Sequence, residues 1–505
     1  METLAHILNG FSICLQPINL WYTLVGCFLG TLVGVLPGIG PAAGIALLVP
    51  ITYGMNPASA LIMLAGIYYG AKYGGSTSSI LIRTPGETAS VMTCIDGYAM
   101  AQNGRAGAAL AVSAIGSFIA GSIGVVGLTL FALPLAEMAI EFGPAEYFML
   151  MLFAMTSVAS LTGKSLPKGM FSMVLGLMLA TVGIDLQSAM PRYTMDIVEF
   201  QEGISFVVVV VGMFAVAEVF QGLEMLLRGT APAVIRISGK LWLTREEWRR
   251  SIGPIWRGGI IGFIIGVLPG AGGTIASILS YTTERGLSKH PEEFGKGAIE
   301  GVAGPESANN SDTAGALVPL LTLGLPGGAV TAVLLGAFIM YGIQPGPLLF
   351  KEHPDVVWGL IDSMYLGNAM LLILNLPLIG LFVRLLYIPR GILYPLIVAI
   401  SAVGIYSVNG NIVDLYLMLL FGVIGYLFSK ADIPAAPLVL GLVLGDLIEQ
   451  SFRQAMNLSD GSLAIFVGSR ITVVLLVLTV IAVLWPLIAS RIKALKTLPA
   501  TGTEN

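Results

Sequence analysis

Four short stretches of this chain join proline to glycine within apolar sequence, and they mark where its backbone could bind a solute. The pairs are Pro37-Gly38, Pro85-Gly86, Pro269-Gly270 and Pro326-Gly327. A helix that begins inside a membrane leaves free N–H groups and about half a positive charge, which attract an anion. A helix that ends there leaves free carbonyl groups, which coordinate a cation such as Na⁺. The pattern therefore predicts the binding of an anion and a cation, whereas a single such break would more simply be a kink in a packed helix.

Side chains near these breaks could complete the two sites. Lys72 and Arg83 flank the run Gly74–Ser79, and we expect at least one of them to pair with a substrate carboxylate, Arg83 having the better bidentate geometry. The alternative is that they anchor the end of a helical hairpin by snorkelling. Asp312, in the run Asn309–Thr313, is a candidate cation ligand or proton carrier, or alternatively a helix N-cap.

The predicted site residues follow from these stretches. The predicted substrate-binding residues are Pro37, Gly38, Gly40, Lys72, Gly75, Ser76, Thr77, Ser78, Arg83, Gly270, Gly272, Pro326 and Gly327. The predicted ion-binding residues are Asn309, Asn310, Ser311, Asp312 and Thr313. Glu300 and Glu306 are expected to face water, and Asp446 and Glu449 to lie at a helix-end interface. No cofactor is predicted beyond a coupling ion, Na⁺ or H⁺, and the neutral polar setting favours Na⁺.

The composition is that of a membrane protein. The chain has 505 residues, of which 56% are hydrophobic and 11% charged, with a mean hydropathy of +0.88; ordinary soluble proteins carry about 25% charged residues. We therefore expect an all-α polytopic membrane protein. The net charge of −4 and the lack of a basic tract exclude a nucleic-acid partner. The three cysteines are expected to be small buried hydrophobic residues.

Apolar segments predict where the chain crosses the bilayer. Segments long enough to cross lie near 19–36, 56–71, 107–133, 144–162, 168–184, 205–227, 256–268, 328–343, 357–388, 392–407, 411–428, 434–449 and 464–489. Shorter apolar pieces lie at 41–53, 76–82, 271–282 and 314–325. Pieces of this length do not span, so we expect re-entrant or half-helices there.

The first break has a twin in the second half of the chain. Glycine recurs at every fourth position in both copies: Gly26, Gly30, Gly34 and Gly38, then Gly258, Gly262, Gly266 and Gly270. No Lys or Arg lies before Lys72, so none precedes the first copy, whereas seven lie between 228 and 257, before the second. The positive-inside rule then places the N-terminus outside and the central connection in the cytoplasm, so the two copies are predicted to be inverted repeats.

This orientation gives a domain plan. The predicted units are a first inverted-repeat half (1–227), a cytoplasmic basic connection (228–257), a second half (258–463), a closing transmembrane helix (464–490) and a cytoplasmic tail (491–505). In the connection, Thr244 and Glu247 fit a capping box, and three tryptophans predict an amphipathic helix in the membrane interface. A disordered linker is the alternative.

Other functional classes fit less well. The only fragment like a nucleotide-binding loop, Thr162–Ser165, has Val158 where that motif requires glycine, which excludes an ATP-driven pump of this type. No motif of an intramembrane hydrolase is present. An anion channel and a stand-alone ion-coupled carboxylate carrier both remain as alternatives.

The broken stretches also resemble a known family. GVLPGIGPAAG, YGGSTSSILIRTPGE, GVLPGAGGT and ESANNSDTAGALVPLLTLGLPG are similar to the signature stretches of the large membrane subunit of tripartite tricarboxylate transporters, the TctA family, and the resemblance covers essentially the whole chain. It implies a secondary transporter of the bacterial inner membrane, importing a di- or tricarboxylate of the citrate type. It further implies an elevator-like organisation, a small four-helix membrane subunit and a periplasmic solute-binding protein as partners. A homodimer is left open.

Overall fold

The computed structural model describes residues 2–36, 40–161, 165–185, 187–228, 235, 237 and 239–496. The chain is helical almost throughout these residues. The helices are α1 (Glu2–Cys14), α2 (Pro17–Val35), α3 (Pro41–Leu48), α4 (Pro57–Ile82), α5 (Thr93–Gln102), α6 (Ala106–Ala139), α7 (Pro144–Leu161), α8 (Leu166–Ala180), α9 (Phe206–Val210), α10 (Ala217–Leu227), α11 (Arg245–Val267), α12 (Gly272–Leu287), α13 (Glu300–Leu323), α14 (Ala329–Met340), α15 (Leu349–Glu352), α16 (Pro354–Asn375), α17 (Ile379–Leu385), α18 (Arg390–Asn409), α19 (Ile412–Lys430), α20 (Ala436–Leu458) and α21 (Arg470–Lys496). Two short antiparallel strands, β1 (Gly183–Ile184) and β2 (Pro191–Arg192), form a hairpin.

The predicted all-α polytopic membrane protein is confirmed. Among the described residues, six helical segments are long and apolar enough to cross a membrane: Pro17–Val35, Ala106–Ala139, Phe206–Leu227, Pro354–Asn375, Gly391–Val408 and Ile412–Lys430. The segment Phe206–Leu227 joins α9 to α10 through a π-helical turn, Val211–Val216. Cys14, Cys27 and Cys94 are buried and free, as expected.

The first glycine helix, α2, packs closely against α4 because glycines lie along the face it turns to α4. A β-carbon on Gly30 of α2 would lie 2.4 Å from the carbonyl oxygen of Ile67 in α4, which is too close for any side chain at this position. Gly26 and Gly34 meet α4 in the same way one turn earlier and one turn later. Because small residues let backbones approach without a side chain between them, these contacts fix α2 against α4.

The second glycine helix repeats this contact in the same register. A β-carbon on Gly262 of α11 would lie 2.2 Å from the carbonyl oxygen of Ala308 in α13, with Gly258 and Gly266 packed on either side. The contact also holds in the opposite direction, since Gly74 of α4 lies against α2 as Gly315 of α13 lies against α11. The pair α11–α13 therefore has the helix–helix contact of α2–α4, while the inversion of the two copies stays a prediction.

Two of the predicted short pieces are parts of long helices. The segment 76–82 forms the last turns of α4, and 314–325 falls largely within α13, so neither begins a half-helix. The prediction was wrong because each piece was judged by its own length, whereas each continues the helix of the residues before it. In α4 the intervening hydroxyl groups are satisfied within the helix: the Ser78 and Ser79 hydroxyls donate to the carbonyl oxygen of Gly75 at 3.1 and 2.9 Å. The other two short pieces, α3 and α12, do begin after breaks.

The helices form two groups that meet along α3 and α14. One group packs α2, α4, α6, α11, α12, α13 and α16 together, and the other packs α7, α8, α10, α19, α20 and α21 together. Helix α3 contacts α2 and α4 on one side and the π-helical turn on the other, while α14 contacts both α4 and α20. Whether one group moves against the other, as an elevator requires, stays a prediction.

The predicted capping box starts α11. The Thr244 amide donates to the Glu247 carboxylate at 2.7 Å, and the Glu247 amide donates to the Thr244 hydroxyl at 3.2 Å. The predicted amphipathic helix is thus the first part of α11, which continues without a break into the second glycine helix. Trp248 and Trp256 of this helix are exposed, and so is Trp242 just before it. The rest of the connection, at 229–234, 236 and 238, lies outside the described residues, as do residues 497–505 of the tail.

Candidate functional site

Three of the four Pro-Gly breaks, together with Gly40 just after the first, line one cavity of about 640 Å³. The break residues on its wall are Gly40, Pro85, Gly86, Gly270, Gly272, Gly327 and Gly328. The two breaks of the second half are bonded to each other, because the Gly270 amide donates to the Gly327 carbonyl oxygen at 2.9 Å. Two predicted residues of the first break, Pro37 and Gly38, lie outside the described residues. The structure therefore brings together, at one place, breaks that are up to some 290 residues apart in the chain.

Three helices begin at this cavity. The N-termini of α3 at Pro41, α12 at Gly272 and α14 at Ala329 all line its wall. Each leaves backbone N–H groups without a partner in its own helix and carries a partial positive charge. Three such ends around one space favour an anion there.

One buried lysine joins the two halves at the cavity wall. The ammonium group of Lys72, whose side chain is 5% exposed, lies 3.1 Å from the Glu87 carboxylate and 3.8 Å from that of Asp312. It donates to the amide oxygen of Asn309 at 2.8 Å, and the amide nitrogen of Asn309 donates to Glu87 at 2.7 Å. We call Lys72, Glu87, Asn309 and Asp312 the polar cluster. Two carboxylates stabilise the buried ammonium, which would otherwise be costly to hold in an apolar protein.

A glycine of α12 leaves the room that the polar cluster needs. A β-carbon on Gly273 would lie 2.9 Å from the Lys72 ammonium and from the Asp312 carboxylate, and 3.0 Å from the Asn309 amide oxygen. The start of α12 therefore covers the cluster with backbone alone.

The other predicted residues of the first half, Gly75 to Ser78 and Arg83, do not line the cavity. The Ser76 hydroxyl donates to the carboxylate of Glu306, and Thr77 is buried. Gly75 packs against the side chain of Glu87. Arg83 caps the end of α4 in the left-handed conformation, with a φ of 54°. Ser78 makes the hydrogen bond to the Gly75 carbonyl described above. The Arg83 guanidinium lies over the ring of Tyr98, 5.7 Å from its centre. Lys72 thus lines the cavity and Arg83 does not.

The predicted ion-binding run is divided by the helix that carries it. Consecutive residues of an α-helix point in directions about 100° apart. Asn309 and Asp312 face the polar cluster, whereas the Asn310 amide donates to Ser117 of α6 at 2.6 Å. Ser311 also lies against α6, at Gly124, and Thr313 is fully buried. Of this run, Asp312 is the one residue on the cavity wall. One of its oxygens has no hydrogen-bond partner among the described residues, so it can still accept a cation or a proton.

Two glutamates that were expected to face water are buried. Glu306 has no exposed surface and accepts hydrogen bonds from Ser76 and Thr93. Glu300 is 8% exposed and pairs with Arg250 at 2.8 Å. The expectation failed because each finds its partner on a distant segment of the chain, which the local sequence does not reveal.

Three cavity residues were missed. Glu87 follows the Pro-Gly pair of the second break, and its charge beside that break was the available signal. Glu218 lines the cavity from α10 and is one of two acidic residues in the apolar span Phe206–Leu227, next to the π-helical turn. Both features are typical of functional sites in membrane helices. Nothing in the local sequence singled out Gly273 from other glycines.

A second cavity, of about 650 Å³, lies beside the β hairpin. It is lined by charged side chains of the hairpin region and of α20: Asp185, Arg192, Asp446, Glu449 and Arg453. Asp446 and Glu449 were predicted at a helix end, but this was wrong, because α20 continues to Leu458. Glu449 pairs with Arg192 at 2.9 Å. A hydrogen bond from Ser188, together with those from Arg453, lowers the pKa of Asp185 to about 2.

Known proteins place this architecture in a family. The model of the tripartite tricarboxylate transporter TctA family matches residues 20–440. An uncharacterized 52.8 kDa protein in the TAR-I ttuC′ 3′ region of Agrobacterium vitis is 48% identical over 490 residues, covering 97% of both chains. An uncharacterized protein in the TAR-II ttuC′ 3′ region of the same organism is 48% identical over 229 residues, covering 45% of this chain and 95% of that protein. No solved structure matches. The chain is therefore a multi-pass membrane protein of the TctA family, whose members are the large subunits of tripartite tricarboxylate transporters and work with a small membrane subunit and a periplasmic binding protein.

Proposed function

We propose that this chain is the translocating subunit of a secondary transporter that imports a di- or tricarboxylate of the citrate type across the bacterial inner membrane, coupled to Na⁺. The observation that carries the proposal is the cavity at which three helix N-termini and the ammonium of Lys72 meet. Carboxylates are among the anions that such backbone ends and a buried lysine bind.

The charges on the cavity wall support coupling to a cation. Among the described residues that line it, Lys72 is basic, while Glu87, Asp312 and Glu218 are acidic. When all four are ionised, the wall carries two more negative than positive charges, which opposes the entry of a carboxylate. A cation that enters with the substrate reduces this repulsion, and the free oxygen of Asp312 is our candidate ligand for it. Transport of the anion would then require the cation.

The test is uptake of radiolabelled citrate into proteoliposomes that contain this chain and its small membrane subunit. We expect saturable uptake that needs the periplasmic binding protein outside and an inward Na⁺ gradient. An inward proton gradient without Na⁺ should not replace it. No uptake of citrate, tartrate or malate under any of these conditions would refute the proposal.

The same assay separates the alternatives. Uptake by this chain alone, without the binding protein, would indicate a stand-alone carboxylate carrier. Flux that does not saturate and follows the membrane potential without Na⁺ would indicate an anion channel. No feature of the described residues favours either over the tripartite arrangement.

A further inference from the structure

A glutamate of the chain occupies a carboxylate-binding fork in the polar cluster. One oxygen of Glu87 lies 3.1 Å from the Lys72 ammonium, and the other accepts a hydrogen bond from the Asn309 amide at 2.7 Å. The two donors come from α4 and α13, one from each half of the chain. A cation on one carboxylate oxygen and an N–H donor on the other is how proteins commonly bind a free carboxylate.

The fork is rigid. Lys72 donates to the amide oxygen of Asn309 at 2.8 Å, so the amide nitrogen is turned towards Glu87. Both donors are buried within long helices, with Lys72 4% and Asn309 0% exposed. Lys72 and Asn309 therefore do not need Glu87 to keep their positions in the fork.

Glu87 itself lies on the connection between α4 and α5. Its backbone is held in place, since both the amide and the hydroxyl of Ser90 donate to its carbonyl oxygen, at 3.2 and 3.0 Å. The side chain lines the cavity, so rotation about its own bonds is the movement by which it would leave the fork. The corresponding position of the second half, after its own Pro-Gly pair, is Gly328, so the duplicated backbone does not require a carboxylate there.

We propose that Lys72 and Asn309 form the subsite for one carboxylate of the substrate, and that Glu87 occupies this subsite until the substrate displaces it. The inference rests on the proposed function where it names the displacing carboxylate as the transported substrate. In the empty transporter Glu87 neutralises Lys72, which avoids an unpaired buried cation. A tethered group also has a high effective concentration, so it competes with the substrate, lowers its apparent affinity and assists its release.

The first experiment tests the fork without reference to transport. Glu87→Gly gives this position the residue that the second half has, and it empties the fork. We expect sodium acetate, at tens of millimolar, to raise the thermal unfolding temperature of this variant, while acetamide and sodium chloride do not. In Lys72→Met/Glu87→Gly, which lacks the fork, acetate should have no effect. A folded Glu87→Gly protein that acetate does not stabilise, or a double variant that it stabilises equally, would overturn the inference.

The second experiment remains valid if Glu87→Gly does not fold. Glu87→Gln keeps the volume of the side chain but weakens its competition for Lys72. In the citrate uptake assay we expect KM for citrate to fall about tenfold, the value of roughly one charge-assisted hydrogen bond, while uptake still depends on Na⁺. An unchanged or higher KM for citrate, or a higher Na⁺ requirement, would show that Glu87 is a structural group or a cation ligand, and the inference would be wrong.

The two experiments separate this inference from the proposed function. Acetate stabilisation of Glu87→Gly together with no citrate, tartrate or malate uptake by any protein would support the carboxylate subsite and refute the transporter proposal. Citrate uptake as proposed, without stabilisation of Glu87→Gly by acetate, would support the transporter proposal and refute the carboxylate subsite.

Discussion

Replacing Gly273 by alanine should disable the polar cluster without unfolding the protein. The added β-carbon would lie 2.9 Å from the Lys72 ammonium and the Asp312 carboxylate and 3.0 Å from the Asn309 amide oxygen. An ordinary contact with a β-carbon begins at about 3.4 Å, so each polar atom must withdraw by about half an ångström. The backbone accepts alanine, because the φ of Gly273 is not in the left-handed region that needs glycine.

The expected size of the effect follows from the bonds at stake. The Lys72–Asn309 hydrogen bond, at 2.8 Å, cannot keep its length if both atoms withdraw from the new methyl group. A charge-assisted hydrogen bond contributes about 1.5–3 kcal/mol, which corresponds to a change of roughly 10- to 150-fold in an equilibrium constant. We therefore expect kcat/KM for citrate, or the apparent affinity for Na⁺, to fall by at least about tenfold. The thermal unfolding temperature should fall only modestly, since the helix propensity of alanine, about 1 kcal/mol better than that of glycine, offsets part of the lost hydrogen bond.

A matched control is available on the same helix. A β-carbon on Gly286, near the end of α12, would have no heavy atom within 4 Å, and the φ of Gly286 is not in the left-handed region. Gly286→Ala should therefore keep normal citrate uptake and Na⁺ dependence in the same proteoliposomes. The reasoning would be refuted if Gly273→Ala transported citrate with unchanged kcat/KM and unchanged Na⁺ dependence. Equal losses in both variants would show that α12 tolerates no added methyl group, and would remove the specific role of the polar cluster.

Two further predictions concern stability and pH. Gly86→Ala should strongly lower the yield and thermal stability of folded protein, because its β-carbon would lie 2.2 Å from the Gly34 carbonyl oxygen, whereas Gly328→Ala, with nothing within 4 Å, should fold normally in the same detergent assay. Asp185 has a pKa of about 2, below the 3.9 or so of an unfolded chain, so it stabilises the fold above about pH 4 and loses this contribution as pH falls towards 2. The unfolding temperature of the wild type should thus fall more steeply below pH 4 than that of Asp185→Asn, and equal slopes would contradict the assignment.

The membrane-spanning helices could be predicted well from the sequence because their signal is local. An apolar run of sufficient length has few alternatives to a membrane helix, and Pro or Gly at its ends limits its extent. The predicted segment 144–162, for example, is α7, Pro144–Leu161, and 411–428 is α19, Ile412–Lys430. The capping box at Thr244 is equally local and was equally clear.

The site could be predicted only in part because it depends on distant segments. The Pro-Gly breaks and Lys72 were found from their own neighbourhoods. The partners of Lys72 could not be found in this way, since Glu87 and Asn309 reach it from another loop and from the other half of the chain. The burial of Glu306 depends on Ser76 and Thr93 for the same reason. The length of the segment 76–82 was also a poor guide, since this segment is too short to span alone but forms the end of α4.

The repeated backbone and the unrepeated charges explain why the cavity can hold one polar cluster rather than two. Gly34 packs on Ala71 in the same way that Gly266 packs on Asp312, and this equivalence aligns the residues of α4 with those of α13. In this alignment each charged residue of the cluster has a neutral counterpart: Thr313 for Lys72, Gly328 for Glu87 and Ala71 for Asp312. A second set of charges would add buried ions whose partners the first set already uses, at several kcal/mol for each ion left unpaired. The duplicated glycine helices and breaks therefore supply the shape of the cavity twice, while the charges supply one polar cluster. Our proposal accordingly gives the cavity one substrate carboxylate at a time.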